Sequence, residues 1–206
     1  MSSPLSLPKS IKTRLAPTLR ADGFSGSGQT FYRQNPEMIW IVNVQGSRAG
    51  GSFCVNLGLH PMALPTVLGA EPNPRKLTEA DCEFRGRLTA TGSDQWWTYH
   101  DQTSLDAALD DVCALYLSVG RDVFATHSGP ASPLLTLTPE AFSAGAYELK
   151  GLRTTEVRMA YVLARLRQTS GASDDAAAFA RLALDKMIPG SWMRPELEAI
   201  AGQPKA

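Results

Sequence analysis

The sequence predicts an α+β fold in which an antiparallel sheet of about four to five strands is covered on one face by helices. Apolar residues recur with a helical period near the N-terminus. From there to about residue 99, apolar and polar residues alternate, and short turns separate the alternating runs. This pattern is typical of antiparallel strands. The second half of the chain returns to a helical period.

The N-terminal helix is predicted over residues 4–21. Its apolar stripe consists of residues four positions apart, namely Leu7, Ile11, Leu15 and Leu19. Because proline lacks an amide donor, Pro17 is expected to interrupt or kink this helix. Asp22 and Gly23 are expected to end it. The Ser-Gly-Ser-Gly run at residues 25–28 predicts a flexible turn.

The predicted strands are short runs rich in β-branched and aromatic residues, bounded by turn-forming residues. They cover residues 30–33, 38–45, 52–60, 83–91 and 96–99. Residues 61–80 contain four prolines and therefore predict an irregular loop. Since no helix separates consecutive strands, we expect the strands to pair in sequence order as a meander.

A long helix is predicted over residues 105–124, with Ser104 as its N-cap. Its buried face consists of Leu105, Leu109, Val112, Tyr116 and Val119. A loop rich in Gly, Pro and Ser is predicted over residues 128–137. Pro139 follows Thr138 and suits the first position of another helix.

The C-terminal part predicts a helical hairpin. Residues 156–168 and 173–187 have helical periods on either side of Gly171, and Ser173 is the expected cap of the second helix. We therefore expect an α+β sheet domain over residues 1–150. The hairpin over residues 151–206 is expected to be an appendage packed on the same domain.

Composition limits the classes of function. The chain has 20 Lys+Arg and 20 Asp+Glu residues, and this balance makes nucleic-acid binding unlikely, because such binding depends on cationic neutralisation of phosphates. No run approaches the ~18 apolar residues of a membrane span.

The three cysteines are far apart in sequence and are expected to be reduced thiols. A cytoplasmic location without a membrane partner is therefore predicted.

Alternation along the strands predicts a polar sheet face opposite the helix-covered face. If the strands form a meander, this face collects Asn43, Gln45, Asn56, His60, Arg85 and Arg87. Two arginines beside amides suit a carboxylate or phosphate group. The alternative interpretation is an ordinary solvated sheet face. The aromatic run at residues 96–99 likewise suits either a ligand surface or the core at the sheet edge.

No catalytic or metal-binding motif is recognised. The three histidines, His60, His100 and His127, lack metal-ligand spacing, and no phosphate loop or Gly-x-Ser-x-Gly sequence occurs. The sequence therefore predicts no cofactor and no metal, and it favours a non-enzymatic protein without excluding an enzyme.

Several ordered motifs resemble the bacterial domain-of-unknown-function 4304 family over about residues 11–125. They are Leu15-x-Pro17-x-Leu19-x-x-x-Gly23-Phe24, Gly28-x-Thr30-Phe31-Tyr32-Arg33, Val42-Asn43-Val44-Gln45-x-Ser47, Phe53-x-Val55-Asn56-Leu57-Gly58, and Cys82-x-x-Arg85-x-Arg87-Leu88 with Trp96-Trp97 downstream. Gly46 and the Pro-rich residues 61–80 depart from the family pattern. The family has no established activity, so the resemblance implies a fold and not a reaction.

Three hypotheses follow. The leading one is a binding or interaction module that uses the polar sheet face for a protein or a small anionic ligand, including the possibility of a toxin-immunity-type protein. The candidate ligand-binding residues are Arg33, Asn43, Gln45, Asn56, Arg85, Arg87 and Trp97. The second is an enzyme acting on a small anionic substrate, with His60 or His100 as general acid or base. Nucleic-acid binding is the third.

Overall fold

The computed structural model describes residues 5–202 and confirms the α+β fold. An antiparallel sheet carries its core on one face, and the N-terminal helix and the helices of the second half pack there. The six strands are β1 (Ser25–Ser27), β2 (Thr30–Gln34), β3 (Met38–Gly46), β4 (Ser52–Pro61), β5 (Phe84–Arg87) and β6 (Trp97–Thr98). Strands β1 to β5 pair in sequence order, and β6 also pairs with β4. The predicted meander is therefore present.

The N-terminal helix, α1, contains a π-helical turn. It consists of Leu7–Ser10, the π-helical Ile11–Leu15 and Ala16–Ala21. The α-helical pattern is interrupted by the π-helical segment just before Pro17, but Pro17 does not end the helix, which continues to Ala21. The apolar stripe is buried as predicted. Residue 4 of the predicted range lies outside the described residues.

Two predicted strand bounds change. Of the segment at residues 25–28, predicted as a turn, Ser25–Ser27 form β1 and pair with β2. The predicted strand over residues 83–91 is shorter and ends at Arg87, although the Leu88 amide still donates to the Val55 carbonyl at 2.9 Å. Farther along β4, β6 takes over the pairing opposite Ser52 and Phe53.

The first four helices of the second half begin with side-chain caps. They are α2 (Gln102–Leu115, continued by the π-helical Tyr116–Gly120 and by Arg121–Thr126), α3 (Pro133–Thr136), α4 (Pro139–Ser143) and α5 (Glu156–Thr169), and they are followed by α6 (Ser173–Lys186) and α7 (Arg194–Ala201). Asp101, and not Ser104, caps α2, because its carboxylate accepts from the Ser104 amide at 2.7 Å. Helix α3 lies inside the predicted loop, and the Ser132 side chain caps it.

The C-terminal helices pack on the rest of the chain through shared apolar residues. Met159 and Phe179 are buried in the same core cluster as Val55 of the sheet. Helix α6 begins at Ser173, so its N-cap position is Ala172 and not the predicted Ser173. Within residues 5–202, no helix has the length and apolar character required to cross a membrane.

Candidate functional site

The sheet face opposite the helices, called the outer face below, has an apolar half and a polar half. In the apolar half, Ile39 and Ile41 are fully buried against Leu77 and Cys82. The segment over residues 61–83 therefore covers the apolar half. This half is not exposed to solvent, in contrast to the alternative interpretation of an ordinary solvated face. The polar half lies beside a cavity of about 510 Å³, called the cleft below.

Register assembles most of the predicted residues on the polar half. Asn43 of β3 lies opposite Asn56 of β4, and Asn56 lies opposite Arg87 of β5. In the next row, Gly58 lies opposite Arg85. Directly opposite residues on an antiparallel pair point to the same side of the sheet. Asn43, Asn56, Arg85 and Arg87 therefore share one face, as predicted.

Asn56 is the centre of a hydrogen-bonded network on this face. Its Nδ2 lies 3.2 Å from Asn43 Oδ1, 3.1 Å from Gln45 Oε1 and 3.2 Å from Glu79 Oε1. Its Oδ1 accepts from the Arg87 guanidinium. Because both ends of the Asn56 amide are engaged, the network fixes the amide orientation and gives the cleft a rigid polar floor.

Arg87 is held by partners at the rim of the cleft. Its Nε donates to Asp94 Oδ1 at 2.8 Å, and its guanidinium lies 5.4 Å from the Trp96 ring centroid. Trp96 in turn donates from Nε1 to Asp94 Oδ2 at 2.9 Å. Hydrogen bonds from Trp96 and Arg87 lower the pKa of the Asp94 carboxyl. Arg87 therefore has a carboxylate partner already.

Arg85 and Arg153 form an unusual pair at the open side of the cleft. The Arg85 amide donates to the Arg153 carbonyl at 3.0 Å, and the Arg153 amide donates to the Arg85 carbonyl at 2.7 Å. Both residues are exposed and line the cleft. No carboxylate within residues 5–202 lies at ion-pair distance from either guanidinium. Like charges opposite each other on a ladder repel, so this arrangement suits an added anion.

The beginning of helix α5 forms the far wall of the cleft. Thr154 and Thr155 line it, and the Thr155 hydroxyl caps the helix by accepting from the Arg158 amide at 3.3 Å. The N-terminal end of a helix carries partial positive charge and favours anions. Helix polarity thus adds to the positive charge of Arg85 and Arg153.

A buried ion pair fixes that wall to the sheet. Glu83 lies just before β5, and its side chain is fully buried. Arg158 of α5 donates to it through Nε at 2.8 Å and through a second nitrogen. This bidentate contact neutralises both groups and sets the position of α5 relative to β5.

Glu79 reaches the cleft from the segment that covers the apolar half. Its backbone lies directly above Gly58: a Cβ added at Gly58 would lie 3.2 Å from the Glu79 Cα and 2.8 Å from the Cys82 Sγ. Glycine is therefore needed for the close approach of this segment. Within the described part of the chain, no lysine or arginine pairs with Glu79.

Two predicted site residues lie on the helix-covered side of the sheet. Arg33 lies opposite Trp40 on the ladder, and its guanidinium lies 4.8 Å from the Trp40 ring centroid. Trp97 is 7% exposed, stacks on Phe53 and donates from Nε1 to Asp111 at 2.6 Å. Neither side chain reaches the cleft.

The histidines considered for acid-base chemistry also lie away from the cleft. His60 is fully buried, with Nε2 at 3.0 Å from the Leu64 carbonyl, and burial lowers its pKa. His100 is exposed beside Asp101. The thiols near the cleft are poor nucleophiles, because burial raises the pKa of Cys54 and of Cys82. No group of three metal-ligating side chains occurs between residues 5 and 202.

The sequence matches the family described as Domain of unknown function (DUF4304) over residues 15–126, more than half of the chain. The chain belongs to this family. The match covers the sheet and helix α2 but ends before Arg153, so the far wall of the cleft lies outside the part that matches DUF4304. No curated protein and no solved structure shows significant similarity to the chain.

No sequence pattern predicts that Glu79, Arg153 and Arg158 line the cleft. The helical period over residues 156–168 predicts the start of α5 correctly at Glu156. That signal does not say against which strand the helix packs. Glu79 lies in a Pro-containing loop whose path over the sheet has no periodic signal.

Proposed function

We propose that the protein is a binding module for a small anionic ligand, which it holds in the cleft. The observation that supports this most directly is the Arg85–Arg153 pair, two exposed arginines side by side without a carboxylate partner in the described residues. An anion placed between the two guanidinium groups would remove their mutual repulsion and accept bidentate hydrogen bonds.

The surroundings favour a ligand that is small and only partly polar. The cavity volume of about 510 Å³ lies in the range of small-molecule sites. Gln45 and Asn56 provide amides on the floor, while Val67 and Gly86 provide apolar and backbone surface. Helix α5 directs its N-terminal end toward the same space, which further favours negative charge.

We propose binding rather than catalysis. The cleft holds arginines, the buried ion-paired Glu83, the carboxylate of Glu79 and the thiol of Cys82, whose pKa burial raises. Neither His60 nor His100 lines it. A cytoplasmic location is part of the same proposal, and it is supported by three cysteines that remain free thiols.

A thermal-shift screen with phosphate, pyrophosphate, citrate and sugar phosphates tests the proposal. A ligand that binds the folded state raises the melting temperature by mass action. We expect at least one of these anions to do so, and we expect the shift to decrease as sodium chloride is added.

The matched variants are Arg85→Ala with Arg153→Ala, compared with Arg20→Ala. Arg20 is an exposed arginine of α1 that does not line the cleft. The double variant should lose the shift and the control should keep it. A shift that survives in the double variant, or no shift with any anion, would contradict the proposal.

A further inference from the structure

The charges lining the cleft are of two kinds, those with partners and those without. Arg158 is paired with Glu83, and Arg87 is paired with Asp94. These four groups cancel within the protein. A ligand therefore meets mainly the groups that have no partner of opposite charge within residues 5–202, namely Arg85, Arg153 and Glu79.

These three groups are arranged with the positive charges together and the negative charge apart. Arg85 and Arg153 are directly opposite each other on the ladder. The Glu79 carboxylate is placed over Asn56, to which it is hydrogen bonded. Asn56 and Arg85 are diagonal neighbours on one sheet face, a spacing of roughly 7–8 Å.

Glu79 is held in this place by its local structure. It begins a short 3₁₀ turn, Glu79–Asp81, that is closed by reciprocal hydrogen bonds between Thr78 and Asp81. The backbone of this turn lies against Gly58. The carboxylate is hydrogen bonded to Asn56, and it forms no ion pair with Arg85 or Arg153.

We infer that the ligand is a zwitterion: a phosphate monoester that carries a primary amine a few bonds from the phosphorus. This inference rests on the proposed function. The phosphate, with a charge of about −2 near neutral pH, lies between Arg85 and Arg153 at the N-terminal end of α5. The ammonium group lies against Glu79 and the Gln45 side-chain oxygen.

The charge balance distinguishes this ligand from a plain anion. Two arginines and one glutamate leave a net charge of +1 in the cleft, and an amino phosphate monoester carries about −1. A phosphate without an amine leaves the Glu79 carboxylate facing the bound dianion without compensation. Repulsion between these like charges weakens its binding.

Isothermal titration calorimetry with phosphoethanolamine and ethyl phosphate at pH 7.5 tests the inference. The two probes share the phosphate and the two-carbon body and differ in the amine. We expect phosphoethanolamine to bind about fivefold more tightly, the ratio that an additional half-exposed ion pair provides.

The matched variants are Glu79→Gln and Glu71→Gln. Glutamine at position 79 keeps an oxygen that accepts from Asn56 but removes the charge, while Glu71 lies in the same segment outside the cleft. The Glu79→Gln variant should bind ethyl phosphate as well as phosphoethanolamine. The Glu71→Gln variant should keep the wild-type preference.

Two other outcomes distinguish a failure of this inference from a failure of the proposed function. Equal binding of the two probes by the wild type, lost in the variant with Arg85→Ala and Arg153→Ala, would overturn the inference and leave the anion site standing. Binding of neither probe, in a screen where no other anion binds, would overturn both the inference and the proposed function.

Discussion

The two faces of the sheet differ in how completely they are covered. The helix-covered face is sealed, and Val44, Phe53 and Val55 have no exposed surface. The outer face is sealed over Ile39, Ile41 and His60 and opens into the cleft beside Asn56. Under the proposed function, stability and binding depend on opposite faces of the same strands, since alternate residues of a strand point to opposite sides.

The uncovered half of the outer face retains unpaired charge. A folded core excludes such charge because burial without a partner is strongly unfavourable. On the outer face, Arg85 and Arg153 remain exposed and their desolvation is avoided. Substitutions on the helix-covered face should therefore change the free energy of unfolding, whereas substitutions at these arginines should change binding.

The largest expected effect is on the helix-covered face. Phe53→Ala should lower the free energy of unfolding by about 4 kcal/mol, because it leaves a cavity against Trp97. Urea denaturation measures the change, with Thr98→Ala, an exposed position opposite Ser52, as control. A loss below about 1 kcal/mol for Phe53→Ala would show that this face is not the main core.

The second effect concerns the buried ion pair between Glu83 and Arg158, which connects the sheet to helix α5. Glu83→Gln should lower the free energy of unfolding by about 3 kcal/mol, because it leaves the Arg158 guanidinium without its buried partner. In a double-mutant cycle, adding Arg158→Met should restore part of the loss. Additive losses would mean that the two side chains do not interact in solution.

A smaller effect is expected at the close approach under Glu79. Gly58→Ala places a methyl group 2.8 Å from the Cys82 Sγ, which should lower the free energy of unfolding by about 1–3 kcal/mol. Since the segment carrying Glu79 must shift, the preference for phosphoethanolamine should also weaken. Unchanged stability would show that this segment does not pack on Gly58.

Protonation should also weaken the fold. Burial lowers the pKa of His60 and of His127, so the folded state binds these protons less readily than the unfolded state. Their contribution is complete above the ordinary histidine pKa of about 6.5 and is lost as pH falls below it, by at most about 1.4 kcal/mol per pH unit for each histidine. Denaturation at several pH values measures the slope, and His127→Gln should reduce it. An unchanged pH dependence of the free energy of unfolding in His127→Gln would show that His127 is not one of the groups responsible.

The smallest effect on stability is expected at the arginine pair. Arg85→Ala and Arg153→Ala together should change the free energy of unfolding by no more than about 1 kcal/mol, toward higher stability, because repulsion across the ladder is removed. Arg20→Ala is the control. A large loss of stability would mean that the pair supports the fold rather than a ligand.

The strands and their faces could be predicted because both follow from a local period. Alternation together with a meander predicts one shared face for Asn43, Gln45, Asn56, Arg85 and Arg87, and the register confirms it. Arg33 and Trp97 were also predicted as ligand-binding residues, but strand alternation does not place them on this face. The register places Arg33 opposite Trp40 and Trp97 opposite Phe53, on the helix-covered face.

The rest of the cleft depends on contacts that are distant in sequence. Arg153 pairs with Arg85, and Glu79 lies over Gly58, and neither contact follows from a local pattern. The polar sheet residues of the cleft could therefore be predicted from local periodicity, whereas the residues that surround them depend on tertiary packing.

The most direct test of the central claim is a titration of isotope-labelled protein with inorganic phosphate, followed by amide chemical shifts. We predict that the largest changes occur at residues 85–87 and 153–158, and that they disappear in the variant with Arg85→Ala and Arg153→Ala. Changes centred on α1 or on the helix-covered core, or no saturable change in either region, would contradict the assignment of binding to the outer face.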